Sequence, residues 1–453
     1  MRKFFLRGLI FLLAGCTVGP DYDAPKLEAP ATWHNAETTL QNPIAQSWWQ
    51  HLKDPILEKL IQETLEANPS LMGAYDNIQA AQATATEIGA PLFPTVNLTA
   101  AYNKNNAFNS LYSPAYGTYL NTSWEIDLFG TLRRAKESAV AQAEASVEQM
   151  RGMTLHLASE VANYYIYFRS AQQQKGVLEE TVRLNQELCH LSAQRAQAGV
   201  ENYQALETAA AALETAKAAL TTANVAIKTA LHHLAILQGK PPAHLYYLQE
   251  TPGELPKISE SFLVGLPGDL LKNRPDLREA ERNLASSSAL IGVAKGGFFP
   301  QFAFTGSVGY SSATRGSTLF KSSNFYYSVG PSLSWTLLDF GAVRAQMDHA
   351  EAQNDAALHA YQELFLKALE EVENTLVELK EEDKKGSALK QALSHDVVGS
   401  QLAMEKYKGG QTSFKEVVNA EIQGLTDVGK VVDHEARKLL LLVQLYKALG
   451  GSI

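Results

Sequence analysis

The thiol of Cys16 is the side chain in this 453-residue sequence whose surroundings most directly spell out a reaction. It follows a basic start with Arg2, Lys3 and Arg7, a short apolar run from Leu9 to Leu13, and the small residues Ala14 and Gly15. That order is a secretory signal, to be set aside from the fold. Leu13-Ala14-Gly15-Cys16 also has the form of a lipobox, where the thiol is acylated and the cysteine becomes the mature N-terminus. An ordinary cleavage site that happens to end in Cys is the plainer alternative. The other cysteine, Cys189, then has no disulfide partner, and with no Cys or His at ligand spacing it reads as an inert helix residue. Elsewhere reactive chemistry is sparse. The eleven His are scattered, His232-His233 lacks a partner at metal spacing, and Met72, Met150, Met153, Met347 and Met404 form no soft-metal relay. Gly-rich phosphate loops and nucleophile elbows are missing. The sequence therefore predicts no enzyme, no metal and no cofactor.

Composition points the same way. The net charge of −9 becomes −12 once the first fifteen residues, which carry three bases and no acid, are removed, so nucleic acid is not an expected partner. No segment after the N-terminus offers the roughly 18 to 20 consecutive apolar residues that a spanning helix needs. If this chain crosses a bilayer, it does so as strands.

The passage from Tyr326 to Gly410 shows how. In YYSVGPSLSWTLLD, Tyr327, Val329, Leu333, Trp335 and Leu337 alternate with Ser328, Gly330, Ser332, Ser334 and Thr336, the period of a strand between two unlike solvents. After Asp339-Phe340-Gly341 the period changes, and Ala342 to Lys406 reads as a single helix of roughly 100 Å at about 1.5 Å per residue.

Self-comparison reveals a tandem duplication. Phe93-Pro94 corresponds to Phe299-Pro300 and Asn68-Pro69 to Arg274-Pro275 at an offset of 206, whereas Trp124 corresponds to Trp335 and Gly199 to Gly410 at 211. Each copy reads as medium helix, strand, loop, strand, very long helix, Gly turn, returning helix. The first copy predicts a helix from Ile56 to Gly89, strands Thr95 to Tyr102 and Tyr119 to Leu128, a long helix Leu132 to Ala198 and a return from Tyr203 to Gln238. The second predicts a return from Phe414 to Leu449. Phe302, Phe304, Val308 and Tyr310 form the apolar face of its first strand, and Tyr102, Trp124, Tyr310 and Trp335 suit a membrane boundary. The expected divisions are a signal, 1–15; a lipidated arm, 16–55; a first repeat, 56–238; a Pro-rich linker packed as an irregular equatorial belt, 239–267; and a second repeat, 268–453. A returning and a medium helix end to end match one long helix in length.

Four two-faced strands cannot close a barrel, which takes about eight. A homo-oligomer follows: a dimer gives eight strands and a filled interior, a trimer gives twelve and a lumen. The polar face of Ser, Thr and Gly fits the wet lumen of a trimer better. The fold class is thus mainly α with a β-barrel, the helices forming an α-barrel.

The chain resembles the TolC-like outer-membrane factor family, in its OprM-like lipoprotein branch. The likeness rests on Cys16-Thr17-Val18-Gly19-Pro20-Asp21-Tyr22, Trp48-Trp49 with Asp54-Pro55, Gly265 to Leu271 with Arg274-Pro275-Asp276-Leu277, Asp339-Phe340-Gly341 and Leu445 to Gly451. The resemblance implies a homotrimer in outer-membrane lipid, a periplasmic helical tunnel, and docking to a periplasmic adaptor and an inner-membrane pump, so that small molecules leave the cell. By resemblance to bacterial lipoproteins, Thr17 after the Cys favours the outer membrane. The resemblance also implies a gate beyond the second Gly turn, where Thr412, Lys415, Asn419 and Ile422 stand for Asp, Leu, Asp and Arg of the OprM-like pattern. With Asn419 in place of the usual ring acid, Glu421 or Glu416 is expected to supply the charge and Lys415 a tie. The first copy offers Glu201, Tyr203 and Glu207 near its turn. Gly199, Gly409 and Gly410 mark the tip turns expected to meet the adaptor. A duct for protein secretion and a coiled-coil lipoprotein without a pore are the alternatives.

Overall fold

The computed structural model of the chain describes residues 17–36, 48–103, 116–251, 253–257, 267–312 and 318–451. The expected acylation site, Cys16, and the signal segment lie outside the described residues. In chain order the main elements are α1 (Pro55–Ala67), α2 (Pro69–Gly89), β1 (Thr95–Tyr102), β2 (Tyr116–Ile126), α3 (Thr131–Gln197), α4 (Tyr203–Leu237), α5 (Pro275–Gly296), β3 (Gln301–Ser312), β4 (Phe325–Ser334), α6 (Ala342–Lys408) and α7 (Phe414–Ala448). α3 and α6 have 67 residues each and α4 and α7 have 35 each, so the duplication holds to the residue. Two compact units form: Met1–Leu27 with Tyr75–Gln149 and Asp276–Leu364, and Glu28–Ala74 with Met150–Pro275 and Phe365–Ile453.

The first unit carries one antiparallel sheet of order β1-β2-β3-β4. Each copy supplies one sequential strand pair, and β2 joins β3 across the copies. Where the alternation predicts a strand running on through Trp335 and Leu337, β4 stops at Ser334. The indole of Trp335 instead donates to the Phe298 carbonyl at 3.2 Å, and Trp124 donates in the same way to Leu92 at 2.9 Å. Both bonds tie the end of a strand to the end of a medium helix.

The strand-to-helix joints are capped alike. Asp127 accepts from the backbone N–H groups of Leu132 and Arg133, at 3.2 and 3.0 Å, and Asp339 from those of Gly341 and Val343, at 3.0 and 2.8 Å. These satisfy donors that the first turn of a helix leaves open. Across the copies, the rings of Phe129 and Phe299 stack at 4.5 Å. The arm is strapped down here: buried Arg134 donates to Val18 O at 3.1 Å and pairs with Asp21 at 2.6 Å, and Tyr22 Oη donates to Glu281 at 2.5 Å.

In the second unit, the helix expected from Ile56 to Gly89 is two helices. Asn68 takes extended backbone (ψ 122°), caps Ser70 and Leu71 through its side-chain oxygen, and Pro69 opens α2. A proline at the first position of a helix costs nothing in hydrogen bonds but cannot sit inside one. Asn68 Nδ2 also donates to the Leu237 carbonyl at 2.7 Å, and Arg274 donates to that of Ala448 at 2.7 Å. In each copy the medium helix therefore begins against the end of the returning helix. The main core gathers Trp48, Leu57, Ile61, Tyr165, Phe168, Ile227, Leu231 and Val443. The proline-rich stretch after α4 is not merely a belt: Pro242–Glu250 forms a 3-10 helix whose Leu245 and Leu248 enter this core.

Candidate functional site

Two features stand out, the sheet and the ends of the helical hairpins. The register sorts every strand residue to one of two faces. On one face the rows read Leu98-Leu120-Val308-Tyr327, Trp124-Phe304-Pro331 and Ile126-Phe302-Leu333. On the other they read Asn97-Asn121-Ser307-Ser328 and Thr95-Ser123-Thr305-Gly330. Asn121 ties the polar face across strands, donating to Thr99 at 3.1 Å and accepting from Ser307 at 2.8 Å. The apolar face is bare. Val96, Leu98, Val308, Tyr327, Val329 and Leu333 are between 41% and 72% exposed in the single chain. Both outer edges, of β1 and of β4, lack a neighbour among the described residues. A sheet with one bare apolar face and two unpaired edges leaves a contiguous apolar surface and two rows of backbone groups open to further contacts.

The hairpin turns are twins. Gly199 and Gly410 both sit at φ 70°, in the left-handed region, with open space where a side chain would be. The N–H of Val200 bonds to Arg195 O at 2.9 Å and that of Gln411 to Lys406 O at 2.8 Å, the six-to-one closure of a helix end. Gly409 lies beside Gly410, its N–H bonded to Glu405 O at 3.0 Å. Asn202 caps α4 through Ala205 N–H, and the Arg195–Glu201 pair, at 3.4 Å, braces the first turn. Tyr203 and Glu207 are exposed.

Of the residues expected at the gate, Lys415 and Glu421 are half-buried while Glu416 and Asn419 are exposed. Among the described residues no ion pair joins these four to one another. What brings the hairpins together here is apolar: Val418 of α7 packs with Leu184 and Leu188 of α3 and Ala209 of α4, with Cys189 at the margin. This places Cys189 in a packing role. The sequence gives no sign that Glu421 lies in electrostatic reach of Arg183 of α3. That guanidinium pairs with Glu180 at 2.6 Å and Glu187 at 3.2 Å and lies in the field of Glu421, and these carboxylates hold its charge firmly. Residues more than 200 apart in sequence carry no mutual periodicity that could have announced it.

The family model described as outer membrane efflux protein matches residues 60–240 and 266–451. The solvent efflux pump outer membrane protein SrpC of Pseudomonas putida is 29% identical over 465 residues, 98% of this chain and 97% of that one. Outer membrane protein OprJ of Pseudomonas aeruginosa is 28% identical over 450 residues, 97% of this chain and 94% of that one. Among solved structures, the outer-membrane channel OprN superposes with a TM-score of 0.87 at 30% identity, over 96% of this chain and 99% of that one.

Proposed function

The chain belongs to the outer membrane efflux protein family, and from that premise we propose that three copies close a twelve-stranded barrel in the outer membrane. The chain is the outer-membrane component of a tripartite efflux system, with a tunnel in the periplasm. A periplasmic adaptor and an inner-membrane pump deliver the cargo, a small molecule, and the protein conducts it passively. No side chain on this route is asked to make or break a bond.

The observation that carries the reading is the sheet, apolar on one face, hydroxyl- and amide-lined on the other, and open at both edges. In hydrocarbon an unpaired backbone group costs several kcal/mol, so the borders of β1 and β4 must pair with other copies. Three sheets of four strands leave a lumen, and the Asn121 row then faces water. The twin turns at Gly199 and Gly410 form the tip that meets the adaptor, and Lys415, Glu416, Asn419 and Glu421 line the constriction just beyond. Cys16 carries the lipid, and the strapped residues Thr17 to Tyr22 lead from it. The test is reconstitution of the purified mature protein into planar bilayers. Discrete ion conductance from a trimeric species is expected; a detergent-free soluble monomer that conducts nothing overturns the reading.

A further inference from the structure

Along the seam between α6 and α7, three ion pairs join opposite charges, Lys390 with Glu435 at 3.6 Å, Arg437 with Glu378 at 2.7 Å and Lys438 with Asp383, and His434 lies 2.9 Å from Glu382. Closer to the Gly410 turn the pattern breaks. Asp396 of α6 meets Asp427 of α7, carboxyl against carboxyl.

The geometry around them is one-sided. Asp427 is buried, 6% exposed, and its Oδ1 accepts from Lys430 Nζ at 2.7 Å and Gln423 Nε2 at 3.5 Å. Asp396 has no such help. Its Oδ2 is sealed from solvent and meets no hydrogen-bond donor. Its Cβ lies 4.0 Å from where a Cβ on Gly424 would stand, so the side chain is pressed onto α7. The other titratable groups that face the pair are Lys430, from α7, and His395, from α6. α3, which packs on α7 at this height, presents the neutral Gln174, bonded to Gly429 O at 2.7 Å and to Asp433 at 2.9 Å. A sealed carboxylate oxygen without a donor has lost its water and gained nothing in exchange, and the loss is greatest when the group is charged. The smallest group that removes the cost is a proton: as an acid, Asp396 donates to Asp427, and the repulsion becomes a short bridge.

We propose that Asp396 and Asp427 share one proton, and that this proton latches α6 to α7 above the turn. Burial, and then the bond to Asp427, raise the carboxyl of Asp396 above its ordinary range, while the Lys430 ammonium holds Asp427 below its own. The signs follow from linkage. The raised group supports the fold fully below the ordinary aspartate value, about 3.9, and that support is lost as pH climbs through its raised value. The lowered group gives support above the ordinary value and loses it as pH falls through its lowered one. The seam is therefore firmest in the acid window between the two and loosens toward alkaline pH.

Hydrogen exchange of the full-length trimer in detergent, read by mass spectrometry on peptides covering 390–400 and 420–432, tests this without any conductance, so its failure leaves the channel reading standing. After correction for base catalysis of exchange, opening in these peptides rises with pH, by up to about tenfold per pH unit for one released proton. Asp396→Asn flattens that rise, and Lys430→Gln moves it to higher pH because Asp427 loses its counter-charge. A rise in Asp396→Asn equal to that of the unsubstituted chain overturns the latch. Should that variant fail to assemble, an unmoved transition in Lys430→Gln overturns it equally.

Discussion

Asp127 and Asp339 are the residues on which the joint between sheet and rod turns. Each carboxylate takes two backbone N–H groups at the head of a 67-residue helix. Asp127→Ala is expected to destabilise the folded protein by about 1 kcal/mol, visible as a lowered thermal midpoint in detergent. Those backbone bonds also hold the carboxyl of Asp339 below its usual range. Its capping is therefore present above the ordinary aspartate value and fades as pH falls through the lowered one. Gly199 and Gly410 act at the same scale. Open space surrounds both, so replacement by Ala is penalised by the left-handed backbone alone, at about 1 kcal/mol. Limited proteolysis at the tips should then quicken. The repeat marks the two glycines as equivalents, but its offset of 211 sets Asp127 against Leu338, so the sequence could not say that Asp127 and Asp339 were caps or that Asn68 was one. A repeat tells which residues correspond, and only the backbone tells which donors they answer.

At the scale of elements, the strands were the most legible part. β1 has the bounds that alternation predicts, because a period of two persists only while a chain stays between two solvents. β2 begins three residues earlier and ends two sooner than its pattern, and β4 gives up its last two apolar positions, Trp335 and Leu337. In both cases the tryptophan turns its N–H to a backbone carbonyl just past a medium helix, Leu92 or Phe298. The register supplies a sharp control for the membrane reading, since Ser307 and Val308 are chain neighbours on opposite faces. Val308→Arg is expected to cost about 2–4 kcal/mol in a bilayer midplane; Ser307→Arg, facing the proposed lumen, is expected to insert. The fraction of trimer recovered in outer-membrane vesicles compares the two. The break at Asn68 escaped the pattern because both helices keep a helical period and no loop separates them. The influence of Glu421 on Arg183 and the meeting of Asp396 with Asp427 escaped it for a different reason: each acts between two helices, and a single helix's pattern reports only which side is buried.

At the scale of the whole molecule, the efflux role was readable because motifs that are weak singly occur in order along the chain, and the family match spans both repeats. The gate was less readable. Its expected acid position holds Asn419, and charges on neighbouring turns of α7 are interchangeable in a one-dimensional pattern. Single-channel recording decides among them. Glu421→Gln frees Arg183 from one of its three carboxylate neighbours and is expected to lower cation preference; Lys415→Ala is expected to raise conductance. If both variants conduct as the unsubstituted trimer does, these side chains do not line the constriction.

The two open borders of the sheet carry a cost that falls before assembly. A newly exported copy crosses an aqueous compartment with a greasy surface and two strand edges able to stick to any extended peptide. On the proposed trimer, biogenesis is then a race between finding two siblings and clumping. The chain should depend on holdase chaperones, and overproduction should fail through insoluble deposits long before any limit set by translation.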